Sequence, residues 1–357
     1  MKILHCADVH LDSAMERNLS PAAARQRNAE ICRTFGRMVT FAREENVGLV
    51  LIAGDLFDTR RASRRTAEYV LDLVRQSDGV DFLYLRGNHD EGRDVFSGME
   101  LPANFKTFTS QWQSCRYGNV VVTGLELNGD NALTLYDSLE LNRENFNIVM
   151  LHGQDSTRPG EELIALPLLR GKCIDYLALG HLHSFRSGRL DDRGTWCYPG
   201  CLEGRGFDEC GEKGFVLLDT DSGSFRPEFH PFAFRRLHEV DVDVTELQTL
   251  SAIHAAMETA AAGIPQQDAV KFNLRGACTP QTRVDPDYLK RMVEDRYYFV
   301  KVKDQTRLRI DPETYAHDLS LKGEFIRMVM ASDRPEPEKE AIILAGLRAL
   351  SGEEVAL

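Results

Sequence analysis

Val47-Gly48-Leu49-Val50-Leu51-Ile52-Ala53-Gly54-Asp55 is an almost unbroken apolar run that stops on Gly-Asp. Its length and β-branched content fit a strand buried on both faces, the kind found in parallel sheets covered by helices. Upstream, Lys2 to Ala7 is a similar strand that stops at Asp8-Val9-His10. A helix then starts near Ser20-Pro21, an N-cap followed by proline at the first helical position, with Ile31, Phe35, Met38, Val39 and Ala42 at helical spacing. Downstream, a helix from about Ser63 to Gln76 leads into Val80 to Leu85, a third strand, which stops at Gly87-Asn88-His89-Asp90. Strands alternating with helices, each strand ending on polar residues, predict an α/β fold whose loops gather at one edge of a sheet.

From about 105 to 235 the pattern turns to strands: Val120 to Thr123, Phe146 to Leu151, Tyr176 to Leu179, Thr195 to Tyr198 and Gly214 to Leu218. These imply a second sheet, and the expected architecture is two sheets packed face to face with helices outside. Two more polar motifs follow strands here, His152-Gly153 and Gly180-His181-Leu182-His183. The character changes near Phe234-Arg235-Arg236, so the first domain is expected to span 1–235. Residues 236–311 read as a smaller α+β cap domain, with strands at 237–243, 268–276 and 297–303 and helices near 246–262 and 285–295. A segment from 312 to 357 reads as two amphipathic helices broken at Arg334-Pro335-Glu336-Pro337. These helices either pack on their own domain or form a docking surface for a partner.

With 357 residues, 43% of them hydrophobic, the chain can bury a large core. The N-terminus turns polar too early for a signal peptide, and no apolar run reaches the length of a membrane span, so a cytoplasmic protein with no membrane contact is expected. The eight cysteines show no CxxC pair and read as reduced structural thiols; Cys197 and Cys201 are the closest pair. A net charge of -12 argues against a protein that coats nucleic acid. The local field can differ, because two bound divalent ions would add about four positive charges. The cluster Arg60, Arg61, Arg64 and Arg65 follows one of the polar motifs. Positive charge at a helix start opposes the helix dipole, which makes these arginines candidates for phosphate-backbone contact as well as a solvated face.

Asp8, His10, Asp55, Asn88, His152, His181 and His183 combine hard carboxylate and amide oxygens with imidazole nitrogens. Manganese and similar divalent ions accept that mixture, and a bridging carboxylate can hold two such ions about 3.5–4 Å apart. A lone His or Asp at a strand end is ordinarily a hydrogen-bonded structural residue. Seven of them, in order and each after a strand, are what point to ligation. Asp12 and Asp58 lie a step from these residues and are expected to hydrogen-bond rather than coordinate.

The motifs DVHLD (8–12), GDLFD (54–58), RGNHD (86–90) and LGHLH (179–183) resemble those of the calcineurin-like metallophosphoesterases. With YPGCLEGRGFDECGEKGFVLLD (198–219) they look like the SbcD-type DNA repair exonucleases, in particular their shorter YhaO-like branch, and the resemblance covers nearly the whole chain. It implies the αββα metallophosphoesterase sandwich. It assigns Asp8, His10, Asp55 and His183 to one metal and Asp55, Asn88, His152 and His181 to the other, with Asp55 bridging. His89 then faces the substrate and assists the leaving oxygen, with Asp90 orienting it. The implied activity is two-metal DNA exonuclease or endonuclease chemistry with a bridging hydroxide as nucleophile. Manganese is the expected ion, with iron(II), magnesium and zinc as alternatives. The implied partners are DNA, an SbcC-like coiled-coil ATPase and a second copy of the chain. Two other functions stay open: a phosphatase or phosphodiesterase for small or nucleotide esters, and a scaffold whose metal centre is structural.

Overall fold

The structure, a computed structural model, describes residues 1–13, 15, 21–58, 62–90, 95–221, 227–279, 282, 284–309 and 315–350. Arg60 and Arg61 lie outside the described residues. The chain divides into two compact units, Met1–Arg236 and the remainder from Leu237, and the helices after 312 belong to the second.

The first unit holds two six-stranded sheets. In one, β1 (Lys2–Cys6), β2 (Val47–Ala53), β3 (Asp81–Leu85) and β4 (Phe105–Thr107) run parallel. The other contains β5 (Gln113–Tyr117), β6 (Val120–Gly124), β7 (Phe146–His152), β10 (Tyr176–Gly180), β11 (Arg186–Arg189) and β12 (Thr195–Tyr198), parallel except at its edges β5 and β11. A small parallel pair, β8 (Gln154–Ser156) and β9 (Leu163–Ala165), lies between β7 and β10 in sequence. One reading is corrected. Residues 214–218, expected in the second sheet, form β13 (Gly214–Asp219), which pairs antiparallel with β1, and β14 (Glu228–Pro231) extends the same sheet. An apolar run reports burial but not which neighbour it pairs with.

Period-two alternation sorts the core into layers. Leu4, Cys6, Val50, Ile52, Phe82 and Tyr84 face helices α1 (Pro21–Glu44) and α2 (Arg64–Arg75). The alternate residues Ile3, Leu49, Leu51, Leu83 and Leu85 meet Val122, Ile148, Met150, Tyr176 and Ala178 of the other sheet. On its far side Val149, Leu151, Leu177 and Leu179 pack with the short helices α3 (Leu135–Ser138) and α4 (Leu166–Leu169). Each fully buried side chain of this size contributes roughly 1.5–3 kcal/mol, so the helix-sheet-sheet-helix stack is the main source of rigidity for the loops at its edge.

The buried stripe of α1 carries two charges, Arg27 and Glu30, among Ile31, Phe35, Met38 and Val39. Their partners come from the end of the unit. Arg27 donates to Glu203 Oε2 at 2.5 Å and to Glu30 at 2.9 Å, and Arg235 donates to both oxygens of Glu30 at 2.9 and 2.8 Å. Glu203 Oε1 also accepts from Thr34 Oγ1 at 2.6 Å. Burial acts against ionised Glu30, but the two guanidinium groups outweigh it and hold its carboxyl below the usual range. A depressed carboxylate pKa stabilises the fold above the unfolded value and loses that contribution as pH falls through the folded one.

The second unit is built on β15 (Leu237–Asp243), β16 (Ala269–Arg275) and β18 (Phe299–Asp304), all parallel, with a two-residue pair, β17 (Ala277–Cys278) and β19 (Arg307–Leu308). Helices α5 (Leu250–Ala260) and α6 (Pro286–Val293) cross between the strands, capped by Thr249 and Asp285. Val242, Ile253, Met257, Phe272 and Leu289 form their core. Helices α7 (Leu321–Met330) and α8 (Glu336–Leu350) pack around Tyr315, Ile326, Val329 and Ile343.

The buried network at α1 yields a prediction. Glu203→Ala leaves two buried arginines, Arg27 and Arg235, on the single carboxylate of Glu30 and should cost about 3–5 kcal/mol in urea unfolding, with partial recovery in the Glu203→Ala/Arg27→Met double variant. A cost under about 1 kcal/mol would show that the network does not anchor the helix.

Candidate metal centre

The C-terminal ends of β1, β2 and β3 in one sheet and of β7 and β10 in the other meet at one edge, the position where parallel sheets place ligand-binding loops. The loops keep pairing beyond their strands: Asp8 N donates to Gly54 O at 3.1 Å, His10 N to Asp55 O at 2.9 Å and Gly153 N to Gly180 O at 3.1 Å. Asp8, His10, Asp55 and His181 all have positive φ, between 50° and 107°. Such strain in non-glycine residues persists only where surrounding structure enforces it, and it concentrates at functional sites. Two motif glycines are explained by crowding. A side-chain carbon at Gly54 would fall on the His152 ring, and one at Gly180 would fall on the carbonyl oxygen of Ala53.

All seven residues read as ligands come together here. Asp8 and Asp55 are each 1% exposed, His10 is fully buried and His152 is 4% exposed. Donor atoms of Asp8, His10 and His183 lie within 4.8 Å of one another, as do those of Asp8, Asp55 and His152. Asn88 Oδ1 stands 3.0 Å from His152 Nε2 and 3.3 Å from His181 Nδ1. Asp55 Oδ2 lies 3.4 Å from His152 Nε2 and 3.8 Å from His10 Nε2, between the two groups of donors.

Hydrogen-bond accounting shows that the donor set fits divalent cations. His152 Nδ1 sits 2.9 Å from the carbonyl oxygen of Ala53, which can only accept, so Nδ1 carries the proton and Nε2 offers its lone pair. That lone pair faces Asn88 Oδ1 and an Asp55 oxygen, both acceptors. His183 repeats the arrangement: Nδ1 is 2.7 Å from the Glu209 carboxylate, and Nε2 faces His10 Nε2 at 3.2 Å and Asp8 Oδ1 at 3.7 Å. Nitrogens and oxygens that face one another in this way need a proton or a metal cation between them. Asp8, Asp55, His10, His152, His181, His183 and Asn88 could hold two ions there, Asp55 reaching both.

Without metal, protons take up part of that role. Burial, reinforced by neighbouring Asp55, pushes Asp8 up to about 6. Burial opposes the charge of Asp55, yet His152 outweighs it and holds Asp55 below the ordinary carboxylate range. The reciprocal effect holds His152 up at about 10 against its own burial. His10 is driven well below its usual value by burial and by Arg205.

His89 is exposed at the rim, its ring centroid 4.8 Å from that of His10, and its backbone N–H donates to Asp55 Oδ1 at 2.8 Å. Asp90, read as the orienter of His89, binds backbone in the structure. Its carboxylate, 1% exposed, accepts from the backbone N–H groups of Leu56, Phe57 and Gly87 at 3.1–3.2 Å, which ties the loop after β2 to the loop after β3. Asp90 therefore fixes the backbone on either side of the residues read as ligands. Burial, with Asp55 nearby, raises its pKa to about 7.

Asp12 accepts from Ser63 N at 2.8 Å and so pins the start of α2. Arg64 and Arg65 occupy the first turn of that helix, both exposed, and Arg64 pairs with Glu68 at 3.0 Å. Cys197 and Cys201 are free buried thiols. Tyr198 Oη donates to Gly153 O at 2.8 Å, which places the 198–200 turn beside His152. Sequence reading gave no role to Arg205, Glu209 and Lys213, all of which contact His183. Their signal was their place within 198–219, a stretch recognised as a block without separate tasks for its residues.

Fold and site together define a two-sheet hydrolase with a His/Asp/Asn cluster at its loop edge. The chain belongs to the calcineurin-like phosphoesterase family, whose sequence profile matches residues 1–185, and the expected enzyme class, a metal-dependent phosphoester hydrolase, stands. It is 27% identical over 282 residues to the uncharacterized metallophosphoesterase YhaO of Bacillus subtilis (strain 168), an alignment covering 72% of this chain and 67% of that protein. It is 28% identical over 245 residues to the DNA double-strand break repair protein Mre11 of Aeropyrum pernix, covering 62% and 58%. For Mre11 of Methanopyrus kandleri the figures are 27% over 255 residues, covering 62% and 55%. The chain thus spans 55% to 67% of the length of these relatives. Among the described residues, no helix is long and apolar enough to cross a membrane.

A proton balance follows for metal uptake. At pH 7 His152 is protonated and a cation must expel that proton; below about pH 6 Asp8 must lose one as well. Manganese titrations in buffers of different ionisation enthalpy should therefore show net proton release, with apparent affinity falling as pH drops from 7 to 5. Uptake with no proton release would contradict the protonation pattern.

Proposed function

We propose that this chain is a two-metal nuclease of the SbcD type that hydrolyses phosphodiester bonds in DNA, with manganese as the working ion. The observation that carries the reading is the meeting of Asp8, His10, Asp55, Asn88, His152, His181 and His183 at one loop edge, acceptor facing acceptor. The choice of DNA as substrate is supported by relatives named as double-strand break repair proteins. When bound, a pair of divalent ions supplies a water-derived nucleophile at neutral pH and positive charge against the phosphate oxygens.

The chain's own residues do the rest. Asp8 and Asp55, buried and braced by the backbone N–H groups of His181 and His89, keep their geometry without solvent reorganisation. His89 gives a proton to the leaving oxygen, a role supported by its exposure beside His10. Arg64 and Arg65 offer positive charge for a neighbouring phosphate on the same strand. The second unit is read as a further DNA-binding domain, and an SbcC-like coiled-coil ATPase that gates access to DNA is the expected partner, with α7 and α8 as its docking surface.

Two experiments test the proposal. With manganese and the partner ATPase present, linear duplex and single-stranded DNA should be cut, whereas hydrolysis of a generic small phosphodiester with no DNA cleavage would move the assignment to a small-ester phosphodiesterase. His89→Ala should keep both ions and lower turnover by about 10²–10⁴-fold, the usual contribution of general acid catalysis, while Asp55→Asn should lose metal. Equal metal loss in both variants would overturn the division of roles.

A further inference from the structure

We infer that Glu209 is the positioning residue for His183, holding that imidazole in the tautomer and orientation a metal ion requires, with Arg205 bracing Glu209 and Lys213 holding the His183 backbone. The inference rests on the reading of His183 as a metal ligand, and it assigns a task to the 201–213 segment.

The segment holds His183 at two points, the ring Nδ1 and the backbone carbonyl oxygen. Glu209 Oε1, which can only accept, stands 2.7 Å from His183 Nδ1, closer than the donor-only Arg205 Nη2 at 3.2 Å, so the shorter contact puts the proton on Nδ1 and turns the Nε2 lone pair toward Asp8 and His10. Lys213 Nζ, on a residue 2% exposed, donates to the His183 carbonyl oxygen at 2.6 Å. Cys201 N donates to the same oxygen at 3.4 Å. The ring is thus fixed at its far nitrogen while its backbone is fixed at the carbonyl.

Glu209 is fixed in turn. Arg205 Nη2 meets Oε1 at 2.7 Å, Arg205 N donates to Oε2 at 2.7 Å, and the residue is 5% exposed. A buried carboxylate with this many partners has little freedom to turn away from the ring it holds. Carboxylate-to-imidazole hydrogen bonds of this kind orient metal-ligating histidines elsewhere, and their loss typically costs about 10–100-fold in metal affinity.

A loop staple made of Arg205 and Glu209 alone would stabilise the fold but leave the ring free to turn. The two roles separate in a metal-free measurement. Side-chain ¹⁵N NMR of the full chain should show His183 as the Nδ1–H tautomer in the wild type and in Glu209→Gln, whose amide oxygen still accepts, and a mixture of tautomers in Glu209→Ala. Calorimetry with manganese alone should then show two ions bound to the wild type, and one of the two steps weakened by about 10–100-fold in Glu209→Ala, with much of that loss recovered in Glu209→Gln. If Glu209→Ala does not fold, Glu209→Asp, which withdraws the carboxylate by one methylene, takes its place with the same expected losses. Unchanged manganese binding in the alanine or aspartate variant, or an Nδ1–H tautomer that survives in it, overturns the inference. A wild type that binds no manganese overturns the reading of the metal centre instead, and the tautomer measurement still decides what Glu209 does.

Discussion

Two carboxylates, Asp8 and Asp55, are buried side by side where the interior could have been apolar, and much of the first unit can be understood from that constraint. Removing an ion from water costs several kcal/mol even after relaxation, so each carboxylate needs compensation from its surroundings. Backbone N–H groups of His181 and His89 supply part of it, and the imidazole of His152 supplies more. What remains is a cluster of acceptors pointing inward, a negative cage whose natural complement is a pair of divalent cations. The strained backbone at Asp8, His10, Asp55 and His181 is the conformational cost of aiming those groups at one point.

The supports of the cage come from rigid elements rather than from free loops. Parallel strands set the height at which each motif emerges, and apolar layers on both sides of each sheet hold the strands. Asp90 joins two of the loops through backbone N–H groups. The 201–213 segment closes the other side, with Glu203 fastened to α1 through Arg27 and Thr34 and Glu209 against His183. The same short stretch of chain thus serves stability at one residue and the site six residues later.

Much of this was legible in the sequence because it depends on local pattern. The helix expected from Ser63 to Gln76 runs from Arg64 to Arg75 with Ser63 and Gln76 as its caps, and the strand at Val47–Ala53 falls where its apolar run placed it. The meeting of the seven residues read as ligands was legible because each lies at or just after the end of a buried strand. Pairing was not: β13 joins β1 across more than two hundred residues, and alternation says nothing of that choice. The positions of Asp90 and Glu209 were hidden for a related reason. A carboxylate's partner is set by tertiary contact, so Asp90, adjacent to His89 in sequence, bonds to backbone at 56, 57 and 87. Short edge strands such as Arg186–Arg189, exposed and polar, carry no burial signal to read.

The most direct test of the central claim is anomalous scattering from crystals of the chain grown with manganese. The account predicts two peaks about 3.5–4 Å apart, one beside Asp8, His10 and His183, the other beside Asn88, His152 and His181, with the Asp55 carboxylate between them. A single peak, or two peaks that Asp55 does not bridge, would contradict it.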